Sequence, residues 1–208
     1  MFAESITFED AIEMTHLRGK LMQNSEEGKM MAILGLDSKT IDKACSQINE
    51  SHKTAYVASA NYNSAKQTVI AGNIEGIDIA RNLLPDIGAK RCIELNVSIA
   101  SHTNLMTDAA NEFNEALQKI NLSPPRHPII QNYTGEIETD ISSIKQNLFN
   151  QLTKPVLWTK TMDKISQSAS CLIEVGPKNI LCGLSKGYDL SSILYIADQN
   201  FKDKVQNI

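Results

Sequence analysis

Apolar positions change period several times along this chain, and each change marks an element. From residue 8 onward Phe8, Ala11, Ile12, Thr15, Gly19 and Met22 recur on one helical face, with Thr7 placed to cap the start and Glu9 and Asp10 in the first turn. The pattern predicts a helix ending near Gln23. The next block reads strand, helix, strand, strand, helix, strand over residues 30–36, 38–49, 55–60, 67–71, 74–87 and 90–97. Gly28, Gly35, Gly72 and Gly88 punctuate it.

Residues 103–120 return to helical spacing, with Leu105, Met106, Ala109, Phe113, Ala116, Leu117 and Ile120 on one face. The stretch 121–128 breaks the chain. A short strand over 129–132 leads into a turn at Thr134 and Gly135, and a helix over 141–152 stops before Pro155. A last buried strand over 171–175 meets Gly176 and Pro177, which open a helix running to about Gly187. The expected fold class is α/β. The middle block has the βαββαβ order of a ferredoxin-like small domain, residues 29–97, which interrupts a larger α/β domain made of residues 1–28 and 98–208. The flanks hold few strands for a doubly wound sheet, so the larger domain reads as incomplete.

Composition narrows the function classes. Of 208 residues 42% are hydrophobic and 21% charged, which is globular and excludes a disordered or fibrous chain. The net charge of -4 and the lack of a basic cluster interleaved with aromatics argue against nucleic acid and against an anionic membrane surface. Apolar runs fall short of the roughly 18 residues that span a bilayer. Cys45, Cys92, Cys171 and Cys182 form no C-x-x-C pair, and the histidines lack the spacing of a helical ligand pair. The expectation is a soluble cytoplasmic protein with reduced cysteines and no metal.

Candidate chemistry gathers at a few positions. His102 closes the segment Val97-Ser98-Ile99-Ala100-Ser101-His102, where a strand is expected to end and a helix to begin. In α/β architectures such junctions face the ligand crevice. Two readings stand: a working histidine, or one that shares helix capping with Ser101. Arg18 sits at the edge of the apolar stripe of the first helix, followed by Gly19. Its planar fork matches a carboxylate bidentately; a surface salt bridge or a stem lying along apolar surface is the competing reading. Asn63 belongs to Asn61-Tyr62-Asn63-Ser64, between two strands, where amides either fix polar substrate groups or satisfy their own turn. Gly183-Leu184-Ser185-Lys186-Gly187 matches the G-x-S-x-G nucleophile elbow, but it lies at the end of an expected helix rather than at a strand-to-helix turn, so Ser185 is rejected as a nucleophile.

Six stretches together resemble the bacterial malonyl-CoA:acyl carrier protein transacylases, relatives of the acyltransferase domains of polyketide and fatty acid synthases. They are Leu17-Arg18-Gly19-Lys20-Leu21-Met22-Gln23, then Asn61-Tyr62-Asn63-Ser64 with Gln67-Thr68-Val69-Ile70-Ala71-Gly72, then Gly88-Ala89-Lys90-Arg91. The segment ending at His102, Gln151 with Pro155-Val156-Leu157-Trp158-Thr159, and Glu174-Val175-Gly176-Pro177 complete the set. The likeness runs from about Phe8 to Gly187. It implies a partial α/β-hydrolase-like large domain around the small one. It further implies that His102 is the general base, that Arg18 grips the malonyl carboxylate, that Gln151 orients the histidine through its carbonyl, and that Asn63 lies near the acyl group. Malonyl-CoA would be the substrate and acyl carrier protein the partner, with the phosphopantetheine carried by that partner and no cofactor resident in this chain.

Departures from the family pattern matter as much. Neither the family's Gly-Gln-Gly-Ser-Gln loop nor its Gly-His-Ser-Leu-Gly elbow occurs in these residues, so no nucleophile is expected in this chain. Ala65 and Ala100 stand where the family often has proline. Three readings follow: a transacylase whose N-terminal segment lies elsewhere or in a separate fragment, a non-catalytic binder of acyl carrier protein or malonyl-CoA, or an eroded product without a stable fold. The first is favoured, with the chain alone expected to be inactive.

Overall fold

A computed structural model describes residues 2–206 of the chain, which divides into two compact units, Met1–Trp158 and Thr159–Ile208. In the first unit α1 (Phe8–Gln23) starts where the Thr7 hydroxyl accepts the Asp10 amide. There follow β1 (Lys29–Leu34), α2 (Ser38–Ser51), β2 (Val57–Ser64), β3 (Gln67–Gly72), α3 (Ile74–Asp86) and β4 (Arg91–Glu94). The four strands form one sheet in the order β2-β3-β1-β4, antiparallel at every pairing.

β1 is continuously apolar after Lys29 because the sheet is covered on both faces. Met31 and Ile33 join Ile41, Val57, Ile70, Ile77 and Leu84 in a core shared with α2 and α3. Met30 and Ala32, pointing the other way, join Ala60, Val69, Ala71 and Ala100. Through Ala100 the chain approaching His102 is held on this second face. Gly28 permits that approach: its amide donates to the Ser98 carbonyl at 3.0 Å, and a Cβ there would come within 2.7 Å of the Ala100 Cβ.

The largest differences from the expected bounds within the sheet are at two strand ends. β2 continues to Ser64 because β3 stays paired with it as far as Ser64 and Gln67; Val156 bridges the other edge at Asn61, with the Tyr62 amide donating to the Val156 carbonyl at 2.9 Å and the Val156 amide to the Ala60 carbonyl at 2.8 Å. β4 stops at Glu94, so residues 95–101 form an irregular connection and His102 does not sit directly at a strand end.

The expected helix from residue 103 begins as a 3-10 turn, Asn104–Met106, before α4 (Thr107–Lys119). A hairpin of two short antiparallel strands, β5 (Ile129–Ile130) and β6 (Ile137–Glu138), precedes α5 (Ile141–Thr153). Helices α1, α4 and α5 share a core of Met14, Met22, Met106, Phe113, Leu117 and Leu152. The buried row of α1 therefore runs through Met14 and Met22, whereas Phe8 and Ile12, placed on the apolar face by sequence spacing, are 57% and 55% exposed. Only Met22 belongs to both faces; packing against α4 selected a row to one side of the predicted stripe.

In the second unit α6 (Trp158–Ser166, entered from the last residue of the first unit), β7 (Cys171–Glu174), α7 (Ile180–Leu184), β8 (Ser192–Tyr195) and α8 (Phe201–Val205) follow. β7 and β8 pair in parallel. The strand expected to be buried is only half-covered, with Ile173 42% exposed and the following Val175 80% exposed. The helix expected from Pro177 forms only from Ile180. β6, α6, β8 and α8 were not among the elements expected from the sequence. The protein is a mixed α/β fold, and among the described residues no helix is long and apolar enough to cross a membrane.

Candidate functional site

α5 ends at Thr153, so the carbonyls of its last turn lack partners within the helix. His102 takes two of them. Its backbone amide donates to the Leu152 carbonyl at 3.0 Å, and its Nδ1 lies 2.7 Å from the Gln151 carbonyl oxygen. A carbonyl can only accept, so Nδ1 carries a proton and, in the neutral ring, Nε2 keeps a free lone pair. That is the tautomer a proton acceptor needs.

The backbone holds this ring at a cost. His102 has φ 63°, in the left-handed region, which an L-residue enters at about 1–2 kcal/mol. Next to it the Thr103 hydroxyl donates to the Ala100 carbonyl at 2.7 Å and accepts the Leu105 amide at 3.3 Å. Thr103, not Ser101 or His102, therefore caps the turn at residues 104–106. A threonine ahead of an apolar helix was a signal available in the sequence.

Met14, Arg18 and Met22 are spaced by four, so Arg18 lies in the buried row of α1 rather than at its edge. Its stem lines an apolar groove of about 240 Å³ with Ile6, Met14, Phe113, Leu122 and Leu148. Arg18 Nη2 donates to Gln151 Oε1 at 2.8 Å. Among the described residues no carboxylate pairs with this guanidinium, and burial lowers its pKa from the ordinary arginine value.

Gln151 thus holds two groups at once: its side chain takes Arg18, and its main-chain carbonyl takes His102. Burial above all, with a smaller contribution from the Arg18 charge, pulls the His102 pKa below its ordinary 6.5, while the carbonyls of Gln151 and Lys154 act in the opposite sense. The imidazole is therefore neutral and unprotonated at Nε2 around neutral pH. The arrangement can take a proton at Nε2 and can bind an anion at Arg18.

Asn63 is half-buried near the end of β2, where the register with β3 shifts between Tyr62 and Ser64. Among the described residues no hydrogen bond joins it to His102, Arg18 or Gln151, so the structure brings three of the four sequence candidates together. In the second unit Ser185 is fully buried and its hydroxyl donates to the Leu181 carbonyl at 2.8 Å, as a helix-terminal serine does. Glu174 accepts the Cys182 amide at 2.8 Å at the start of α7, and backbone amides there hold its carboxyl below the usual value although desolvation acts to raise it.

No protein-family model matches the chain. It is 41% identical over 185 residues to the malonyl CoA-acyl carrier protein transacylase of Salmonella typhimurium, a stretch that covers 87% of this chain and 59% of that protein. To the transacylase of the same name in Bacillus subtilis it is 34% identical over 188 residues, covering 88% and 59%. Among solved structures, FabD from Acinetobacter baumannii matches with a TM-score of 0.93 at 35% identity, over 99% of this chain and 66% of that one. A malonyl-transacylase solved in complex with its type II PKS acyl-carrier protein matches with a TM-score of 0.90 at 35% identity, over 99% and 68%. The chain spans 59% of the length of these curated relatives. With this likeness carried across both units and across the residues that hold Arg18 and His102, the chain belongs to the malonyl CoA-acyl carrier protein transacylase family.

Proposed function

We propose that this chain supplies the base and the carboxylate clamp of a malonyl transfer from malonyl-CoA to the phosphopantetheine thiol of acyl carrier protein, a step of fatty acid biosynthesis. The observation that carries the reading is the double hold of Gln151, which leaves an imidazole lone pair and an unneutralised guanidinium on one support. Arg18 receives the malonyl carboxylate. Acetyl-CoA would leave the half-buried cation unpaired, which disfavours it.

In this reading His102 Nε2 removes the proton of a serine hydroxyl as its oxygen bonds to the thioester carbonyl. Collapse of the tetrahedral intermediate breaks the carbon–sulfur bond, and the imidazolium returns the proton to the departing CoA thiolate. The carrier thiol then attacks the seryl ester by the same proton path in reverse. No resident cofactor is needed, since the phosphopantetheine arrives on the partner. The serine is not one of the 208 residues, which lack the family's Gly-His-Ser-Leu-Gly segment, so this chain by itself transfers no acyl group. Asn63 is assigned to the acyl side of the cleft on family likeness alone.

The same reading includes the finer fold. The order β2-β3-β1-β4 with all pairings antiparallel supports a ferredoxin-like small domain over residues 29–97. Residues 1–28 and 98–208 would then belong to a hydrolase-like large domain. An acyl carrier substrate and four unbridged cysteines support a cytoplasmic setting.

Intact mass spectrometry of the chain and of holo acyl carrier protein after incubation with malonyl-CoA tests the proposal. Neither protein is expected to gain a malonyl group, and calorimetry is expected to show malonyl-CoA binding that Arg18→Ala weakens at least about tenfold. An ester-linked malonyl adduct on the isolated chain would overturn the assignment of the nucleophile. Unchanged affinity in Arg18→Ala would overturn the clamp. Binding without transfer even when the missing serine segment is supplied would favour a non-catalytic binder.

A further inference from the structure

We propose that the side chain of Gln151 decides the charge of the ligand at Arg18: a neutral amide steadies the guanidinium without cancelling its charge, and so reserves that charge for a carboxylate. The proposal rests on the reading of Arg18 as a clamp and names Gln151 as a positioning residue for specificity, a role separate from its carbonyl contact with His102.

The geometry supports it from three sides. Arg18 has five N–H donors, and the Gln151 Oε1 contact at 2.8 Å takes one of them. The groove walls Ile6, Met14, Phe113 and Leu148 offer hydrocarbon, and the Thr15 hydroxyl that also lines the groove donates to the Ala11 carbonyl, so no carboxylate stands there. Burial lowers the pKa of the guanidinium and no carboxylate raises it, so its charge is desolvated yet unpaired among the described residues.

Residue 151 is then the natural place for a carboxylate that would shut the site. A glutamate there is isosteric, reaches the same nitrogen and forms a charge-assisted bond in place of a neutral one. Glutamine keeps the reach and omits the charge. Because the same residue accepts the His102 Nδ1 proton at 2.7 Å, the end of α5 also sets the separation between the cation and the base, the two ends of an acyl group carrying a distal carboxylate.

Malonate is the probe, titrated calorimetrically into the 208-residue chain. Gln151→Glu is expected to weaken malonate at least about tenfold, and Gln151→Met, neutral and of similar length, to weaken it less. Thr15→Glu covers the case in which Gln151→Glu fails to fold: Thr15 is exposed, lines the same groove, and lies three residues before Arg18, so a carboxylate there reaches the guanidinium with every residue of α5 left unsubstituted. It is expected to weaken malonate as well. In folded Gln151→Glu the His102 ring, followed by NMR without ligand, is expected to titrate at higher pH than in the unsubstituted chain, because the Arg18 charge acting on it is cancelled.

Wild-type affinity in both glutamate variants would overturn this inference and leave the clamp standing. Loss in Gln151→Met as large as in Gln151→Glu would also overturn it, since charge would then be irrelevant. No binding of malonate to the unsubstituted chain would sink both the inference and the clamp on which it rests.

Discussion

In the four-stranded sheet every non-glycine residue keeps a negative φ, the left-handed positions beside it fall on Gly35 and Gly88, and Met31, Ile33, Val57, Ile70, Ile77 and Leu84 are fully buried. Around α1, α4 and α5 the rules bend. A histidine occupies the left-handed region, and an arginine stands in the buried row of a helix beside an amide instead of an acid. Local preference and packing agree through most of the first region, the buried Thr68 hydroxyl excepted, and conflict in the second at the two residues that can do chemistry. Such conflicts cost stability and persist where something else requires them.

The largest effect expected from this contrast lies in the sheet. Leu84→Ala removes a fully buried side chain between α3 and the strands and should cost about 2–5 kcal/mol in urea unfolding of the chain, with malonate affinity unchanged at concentrations where it stays folded. A cost under about 1 kcal/mol would mean that this core collapses easily and is not the rigid partner in the comparison.

A smaller effect separates backbone from side chain at the site. His102→Gly and His102→Ala both remove the imidazole, but only glycine enters the left-handed region freely, so the glycine variant should be the more stable by about 1 kcal/mol despite its more flexible unfolded state. Equal unfolding midpoints would show that residue 102 relaxes once the ring is gone.

The smallest effect is in pH. The folded-state pKa of His102 lies below its unfolded 6.5, so between the two values the unfolded chain binds a proton that the folded chain refuses. Stability is therefore full above 6.5 and falls as pH drops toward the folded value, below which this contribution is constant. His102→Ala should flatten that slope. The difference in urea midpoint between variant and unsubstituted chain, followed across 6.5, measures it, and parallel profiles would remove His102 from the account.

Much of the sheet was legible because its signals are local. Thr7 caps α1 as its position before the apolar row suggested, and the order strand, helix, strand, strand, helix, strand is the order found from β1 to β4. The extension of β2 was not legible, since it depends on β3 staying paired with it as far as Ser64. Nor was the register shift after Ser59, which lets Ser59 and Tyr62, three apart on a strand, reach the same Asp42 carboxylate. Candidate residues at the site could be singled out as types in suggestive places, Arg18 near an apolar stripe and His102 ahead of a helix. Their family roles came from motif likeness, and their partners came from neither.

By itself the sequence determined the order of the main elements, a sheet block that it ran on to residue 97 where the last strand stops at Glu94, and the motifs that set the family. Tertiary structure decided which row of α1 is buried, which nitrogen of His102 carries the proton, and that Arg18 meets an amide rather than an acid. The reason is distance along the chain. Caps and periodicity act over three or four residues, whereas Gln151 reaches His102 across 49 positions and Arg18 across 133, contacts that exist only once α1 and α5 have packed on α4.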